Sequence, residues 1–130
     1  MPRPLPRPTD TELAILRVLW ERGPSTVRQV HEALSHGRDT GYTTTLKIMQ
    51  IMSDKGLVTR DESSRTHVYT TRLSQDQTQR QLVSDLMDRA FGGSAAALVM
   101  QALSAHPATT EELDEIRKLI ETHEKTAARQ

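Results

Sequence analysis

The feature that most limits what this chain can fold into is a change of hydrophobic period at Gly56. Before it, apolar residues recur at helical spacing. After it, "LVTRDE" and "HVYTTRL" are β-rich runs, and the "SSRT" between them reads as a hairpin tip. Three short helices precede the switch. Thr9 and Glu12 form a capping box that opens the first, Leu13, Leu16, Val18, Leu19 and Trp20 give it a broad apolar face, and Gly23-Pro24 ends it. Thr26 and Gln29 repeat the box for "TVRQVHEALS", where Val27, Val30, Ala33 and Leu34 share a stripe. "HGRDTG" reads as a polar loop. The third helix is expected from Tyr42 or Thr43 to Lys55, with Leu46, Met49 and Met52 on one side and Gly56 as its stop. Three helices and then a hairpin, within about 65 residues, is the order of a winged helix-turn-helix.

From Ser74 the helical period returns. "SQDQTQRQLVSDLMDRAF" carries Leu82, Val83, Leu86, Met87, Ala90 and Phe91, and Gly92-Gly93 breaks it. "SAAALVMQALSA" is nearly all small or apolar. After "HP", Thr109 or Thr110 caps a last helix with Leu113, Ile116, Leu119 and Ile120 on one stripe. These helices carry more apolar surface than about 55 residues can bury alone, which implies packing against a second copy. The expected fold class is therefore mainly α with a small β-hairpin. A flexible, proline-rich tail (1–8) precedes a winged-helix domain (9–73) and a three-helix dimerisation domain (74–127).

Composition narrows the function. With three Phe or Tyr and one Trp, the core must be mostly aliphatic. The absence of cysteine removes disulfides, thiolate catalysis and cysteine–zinc sites, and fits a reducing, cytoplasmic location. No apolar run approaches the roughly 20 residues of a membrane span, so no membrane insertion is expected. "MPRPLPRP" lacks the apolar stretch of a signal peptide. The formal net charge is zero, but residues 1–73 hold 11 Lys/Arg against 8 Asp/Glu, and residues 74–130 hold 6 against 9. A mildly basic half thus precedes an acidic one.

The third helix opens with Thr43, Thr44 and Thr45, β-branched residues that form helix poorly. At roughly 100° per residue, Leu46, Met49, Met52 and Thr45 fall on one side, and Thr43, Thr44, Lys47 and Ile51 on the other, with Gln50 near its edge. The outward stripe offers hydroxyls, a cation and an amide, suited to phosphate oxygens and base edges. The free N–H groups at the helix start favour phosphate as well. Arg28 on the second helix and Arg60 and Arg65 on the hairpin add positive charge nearby, Arg65 at the tip, and the hairpin also bears His67. Two blander readings stand beside this one: threonines that only cap the helix, and Ile51 as a stray surface residue.

Four stretches, "TELAILRVLWERGPSTVRQVHEAL", "GYTTTLKIMQIMSDKGLVTR", "HVYTTRLS" and "FGGSAAALVMQAL", together resemble the penicillinase-repressor family, the BlaI/MecI type of bacterial transcription repressor, over about residues 9 to 122. The resemblance implies a homodimer that sits on a two-fold-symmetric operator in double-stranded DNA and blocks transcription. On it, Tyr42, Thr43, Thr44 and Lys47 stand in the recognition-helix pattern, with Arg65 on the wing; Arg28 is read from its charge and its place on the second helix, apart from the resemblance, as an additional phosphate contact. Leu86, Phe91, Leu98, Val99, Leu103, Ile116 and Leu119 fall in the dimer region. In β-lactam-responsive members a membrane sensor protease cuts an Asn-Phe bond in the second dimerisation helix. The matching position here reads Gln101-Ala102. Copper-responsive relatives carry a cysteine pair near the C-terminus, which this chain lacks.

Two other classes compete. A helical adaptor whose winged helix binds protein is favoured by the zero net charge. An enzyme is disfavoured, because no Gly-rich phosphate loop, nucleophile elbow or H-E-x-x-H is present, and neither catalytic residues nor a cofactor are expected. His31 and His36, five apart, do not share a helix face, and His67 and His106 stand alone, so no metal site is expected, the weak candidate being a His with Asp39 or Glu32.

Overall fold

A computed structural model describes residues 7–34 and 41–129. Residues 1–6 of the expected tail, Ser35 at the expected end of the second helix and 36–40 of the expected loop, His36 and Asp39 among them, lie outside the described residues. The chain divides into two compact units, Met1–Ser84 and Asp85–Gln130, with the division inside a helix.

The first unit runs α1 (Asp10–Arg22), α2 (Val27–Leu34), α3 (Tyr42–Lys55), β1 (Val58–Asp61), β2 (Val68–Thr71) and the first part of α4 (Gln75–Ala90). Both capping boxes form. The Glu12 N–H donates to Thr9 Oγ1 at 3.2 Å while the Thr9 N–H donates to Glu12 Oε1 at 2.9 Å, and Thr26 and Gln29 exchange the same pair at 2.9 and 3.2 Å. Gly23 ends α1 at φ 85°, donating to the Leu19 carbonyl at 2.8 Å. Gly56 ends α3 in the left-handed region, with its N–H shared between the Met52 and Ser53 carbonyls.

Ile15, Leu16, Leu19, Val27, Val30, Met49, Met52, Leu57, Val58 and Tyr69 form the core. The α1 face differs from the sequence expectation in one respect. Ile15, absent from that expected face, is fully buried, Leu13 is half-buried, and Val18 and Trp20 pack at the margin. Glu12, Ile15, Leu16 and Leu19 stand at the i, i+3, i+4, i+7 spacing of one helix face, and that face opens on a charged residue.

β1 and β2 pair antiparallel in the register Val58↔Thr71 to Asp61↔Val68. A third segment joins them at a single residue. Ser25, just before α2, exchanges both backbone hydrogen bonds with Tyr69, at 3.1 and 2.8 Å. This bridge fastens the wing to the start of α2. Trp20 Nε1 donates to the Leu73 carbonyl at 3.1 Å and anchors the far end of the hairpin to α1.

Glu12 also fixes α3. Its Oε1 accepts from Lys55 Nζ at 2.7 Å, with the Glu12 side chain only 5% exposed and Lys55 33%. Burial pushes the carboxyl up, but the Lys55 hydrogen bond and charge and the Thr9 N–H outweigh it and hold its pKa below the usual 4.5.

The second unit holds the rest of α4, α5 (Ala95–Ala105) and α6 (Thr110–Arg129). Gly92 and Gly93, both at positive φ, close α4, and the Gly93 N–H reaches back to the Met87 carbonyl. Ser94 caps α5, and Thr109 caps α6 in a further capping box with Glu112. No residue of α5 or α6 is buried.

Replacing Glu12 with Gln keeps an amide oxygen for the cap and removes the charge opposite Lys55. Glu12→Gln is expected to lower unfolding free energy by about 1–2 kcal/mol near neutral pH, measured by urea denaturation. Because the folded pKa is depressed, the pair's contribution is present above 4.5 and lost as pH falls through the folded value. The gap between parent and variant should therefore close below pH 4.5.

Candidate nucleic-acid interface

The three threonines separate once the rotation of α3 is known. Its N-cap is Gly41, and no side chain caps the helix: the Thr44 and Thr45 N–H groups both point to the Gly41 carbonyl, at 3.1 and 3.3 Å. The capping explanation of the run therefore fails. Thr45 is buried at 3% exposure, and its hydroxyl meets His31 Nδ1 of α2 at 3.2 Å. Thr43 and Thr44 are exposed, as are Lys47, Gln50 and Ile51. Among the described residues, no hydrogen bond or ion pair engages the side chains of Thr43, Thr44, Lys47 or Arg65. The inner side carries Met49 and Met52, both fully buried, with Leu46 at the core's margin. Asp54 also lies on the exposed side, near the C-terminal end.

Tyr42 and Arg28 are held together by packing. The Tyr42 ring meets His31 edge-on, with centroids 5.9 Å apart and planes at 85°, and the Arg28 guanidinium carbon lies 5.4 Å from the Tyr42 centroid. A cation over an aromatic face in this range is attractive and limits the arginine's rotamers. His31, considered above only as a metal ligand, is thus a packing residue at the α2–α3 junction. Nothing in its sequence spacing pointed to that.

The wing tip is pinned locally. The Ser63 N–H donates to Asp61 Oδ1 at 2.9 Å, which keeps the Asp61 carboxyl below its usual range, and the Ser64 hydroxyl donates to the Thr66 carbonyl at 2.8 Å. Arg60 is engaged by the Tyr69 hydroxyl and by Glu62, and both raise its pKa. Its charge is therefore partly offset by Glu62. Arg65 is exposed at the tip. It lines an open cleft of about 450 Å³ together with Thr26, Arg28, Tyr42, His67 and the apolar floor of Leu46 and Tyr69. The structure thus brings Arg28, Tyr42 and Arg65 to one cleft, and sets Thr43, Thr44 and Lys47 on the outer face of the adjoining helix. Thr26, expected only as a helix cap, and His67, expected on the wing, also line that cleft.

Of the residues expected at a dimer contact, Leu86, Val99, Leu103 and Leu119 are exposed, while Phe91, Leu98 and Ile116 are half-buried. Among the described residues no group of three His, Cys, Asp or Glu could hold a metal ion, and no helix is long and apolar enough to cross a membrane.

A three-helix unit with a β-wing, whose third helix turns hydroxyls and a lysine outward beside a cationic cleft, defines a winged-helix DNA-binding protein. The chain resembles, over 57% of its length, the solution structure of the DNA-binding domain of the repressor BlaI, with a TM-score of 0.50 at 22% identity and 90% of that chain covered. The chain belongs to the penicillinase repressor family, whose sequence profile, described as Penicillinase repressor, matches residues 8–122. It is accordingly a DNA-binding transcriptional repressor. Transcriptional regulator BlaI of Mycobacterium tuberculosis is 41% identical over 98 residues, which is 73% of this chain and 71% of that protein. The penicillinase repressor of Bacillus licheniformis is 21% identical over 119 residues, 92% of this chain and 93% of that protein.

The inward and outward threonines should behave differently. Thr45→Val removes the hydroxyl that pairs with His31 and is expected to cost about 1 kcal/mol in urea denaturation. Thr43→Val and Thr44→Val should stay within about 0.5 kcal/mol of the parent.

Proposed function

We propose that this repressor acts as a homodimer on a two-fold-symmetric operator, with α3 of each subunit in the major groove and each wing along the adjoining backbone. The observation that carries this reading is the outer face of α3, where Thr43, Thr44 and Lys47 are exposed and unpaired among the described residues, next to the cleft shared by Arg28, Tyr42 and Arg65. In this arrangement Lys47 and the threonine hydroxyls address base edges, and Arg28 and Arg65 address phosphates on either side of the cleft. The functional boundary is placed after Leu73, where the wing ends and the helical region begins.

Dimerisation is supported by the second unit's surface. α5 and α6 bury no residue, while Leu86, Val99, Met100, Leu103, Leu119 and Ile120 stand exposed around half-buried Phe91, Leu98 and Ile116. So much apolar surface on so few residues is stable only when covered, and a second copy supplies a matching face. The cell interior is where such a repressor meets its operator. The α5 bond at the family's cleavage position is Gln101-Ala102, so a membrane sensor protease is a partner only if it accepts that pair.

Selection from random duplex with the full chain should enrich a palindrome, and affinity for it should fall steeply with rising salt. Enrichment of no sequence, with salt-insensitive binding to a protein instead, would leave the adaptor reading standing. Lys47→Ala should weaken the enriched site by about 1–3 kcal/mol if it reads a base, and lower affinity evenly across sequences if it meets only phosphate. Leu98→Asp should sediment as a monomer and lose most operator binding, since one half-site alone is weak. An intact dimer in that variant would move the interface elsewhere.

A further inference from the structure

We propose that Ile51 is a specificity residue that reads the 5-methyl group of a thymine in each operator half-site, an inference that rests on the α3-in-groove arrangement above. Ile51 is 44% exposed on the outer face of α3 and takes no part in the core cluster. Among the described residues of 7–73, the only exposed large apolar side chains are Tyr42 and Ile51, and both belong to α3. Tyr42 is accounted for by Arg28 and His31. Ile51 has no such partner in the fold.

Its position is informative. Ile51 follows Lys47 by four residues and Thr44 by seven, so the three side chains stand in one row on the helix surface. At 1.5 Å per residue, Thr43 and Ile51 are about 12 Å apart along the axis, close to the width of the major groove. The row ends at Asp54, whose carboxylate is exposed and would be repelled by phosphate, so Ile51 is the last residue of the row suited to contact.

The chemistry of the groove then selects the target. Phosphates and the donor and acceptor edges of the bases gain nothing from a sec-butyl side chain and would lose hydration beneath it. The thymine methyl is the apolar group that a base pair of unmodified DNA presents in the major groove. An aliphatic residue held on a rigid helix, flanked by a lysine one turn earlier, therefore discriminates thymine from cytosine by contact with that methyl.

The test uses the duplex enriched by selection with the full parent chain. Each thymine of one half-site is replaced singly by uracil, which removes only the methyl. Parent protein should lose about fourfold in affinity at one position, the value of one buried methyl. Ile51→Ala should bind the thymine duplex more weakly and show no further loss with uracil at that position, while Ile51→Val retains part of the discrimination. Circular dichroism and urea denaturation establish that both variants fold. If uracil at every position leaves the parent unchanged, or if Ile51→Ala keeps the parent's uracil penalty, the proposal is overturned and operator recognition stands. If selection enriches no duplex at all, both fall together.

Discussion

The rotational setting of α3 governs everything the first unit presents to solvent. Met49 and Met52 are driven inside against α1 and α2, and Glu12 grips Lys55 at the helix's far end, so the angle of α3 about its own axis is fixed from two places. With that angle set, Thr45 must point at His31 and Thr43, Thr44, Lys47 and Ile51 must point away. A turn of one residue would bury Lys47's neighbour Ile48 fully and bring Thr45 into water. The exposed face is thus a by-product of core packing, and the core's preference for methionine at the inner positions gives the helix a flexible filler against α1.

The low helix propensity of the threonine run is resolved by the same geometry. A helix whose first turn is uncapped by a side chain and rich in β-branched residues is weakly formed alone, and α3 relies on tertiary packing to hold it. One of the three threonines joins that packing through His31. The other two keep hydroxyls outward at a helix N-terminus whose N–H groups already favour an anion. On the proposed arrangement, packing and DNA contact are therefore divided between adjacent residues of one short stretch.

Much of this was legible in the sequence, and for definite reasons. The period change at Gly56, the Thr9–Glu12 and Thr26–Gln29 boxes and the Gly23 stop are local signals, and the helices and wing follow from them. Thr43, Thr44 and Lys47 could be set on the outer face because a helical wheel needs only spacing. What escaped depends on pairing across the chain. The burial of Glu12 escaped, because a buried carboxylate is acceptable only once Lys55 is known to lie beside it. The Ser25–Tyr69 bridge is a single residue long, too short to leave an alternating pattern. His31's role arises from Thr45 and Tyr42 fourteen and eleven residues away, and the loss of Arg60 to Glu62 and Tyr69 depends on hairpin register.

A zero net charge is compatible with DNA binding because phosphate responds to charge within a Debye length, about 10 Å at ordinary salt, and not to the sum over the chain. Several acidic groups in the first unit are already engaged: Glu12 by Lys55, Glu62 by Arg60, and Asp61 by the Ser63 N–H. Lys47 and Arg65 have no such partner among the described residues, and Arg28 leans on an uncharged ring. The ion pairs cancel one positive charge for each negative one, so the local charge of the α3–wing face is that of Lys47, Arg65 and Arg28 set against the exposed Asp54 and Asp61. In the arrangement proposed above, a modest field of this kind supplies weak non-specific attraction and leaves discrimination to base-edge contacts along α3. That is the condition under which one exposed aliphatic side chain in the row affects which sequence is bound.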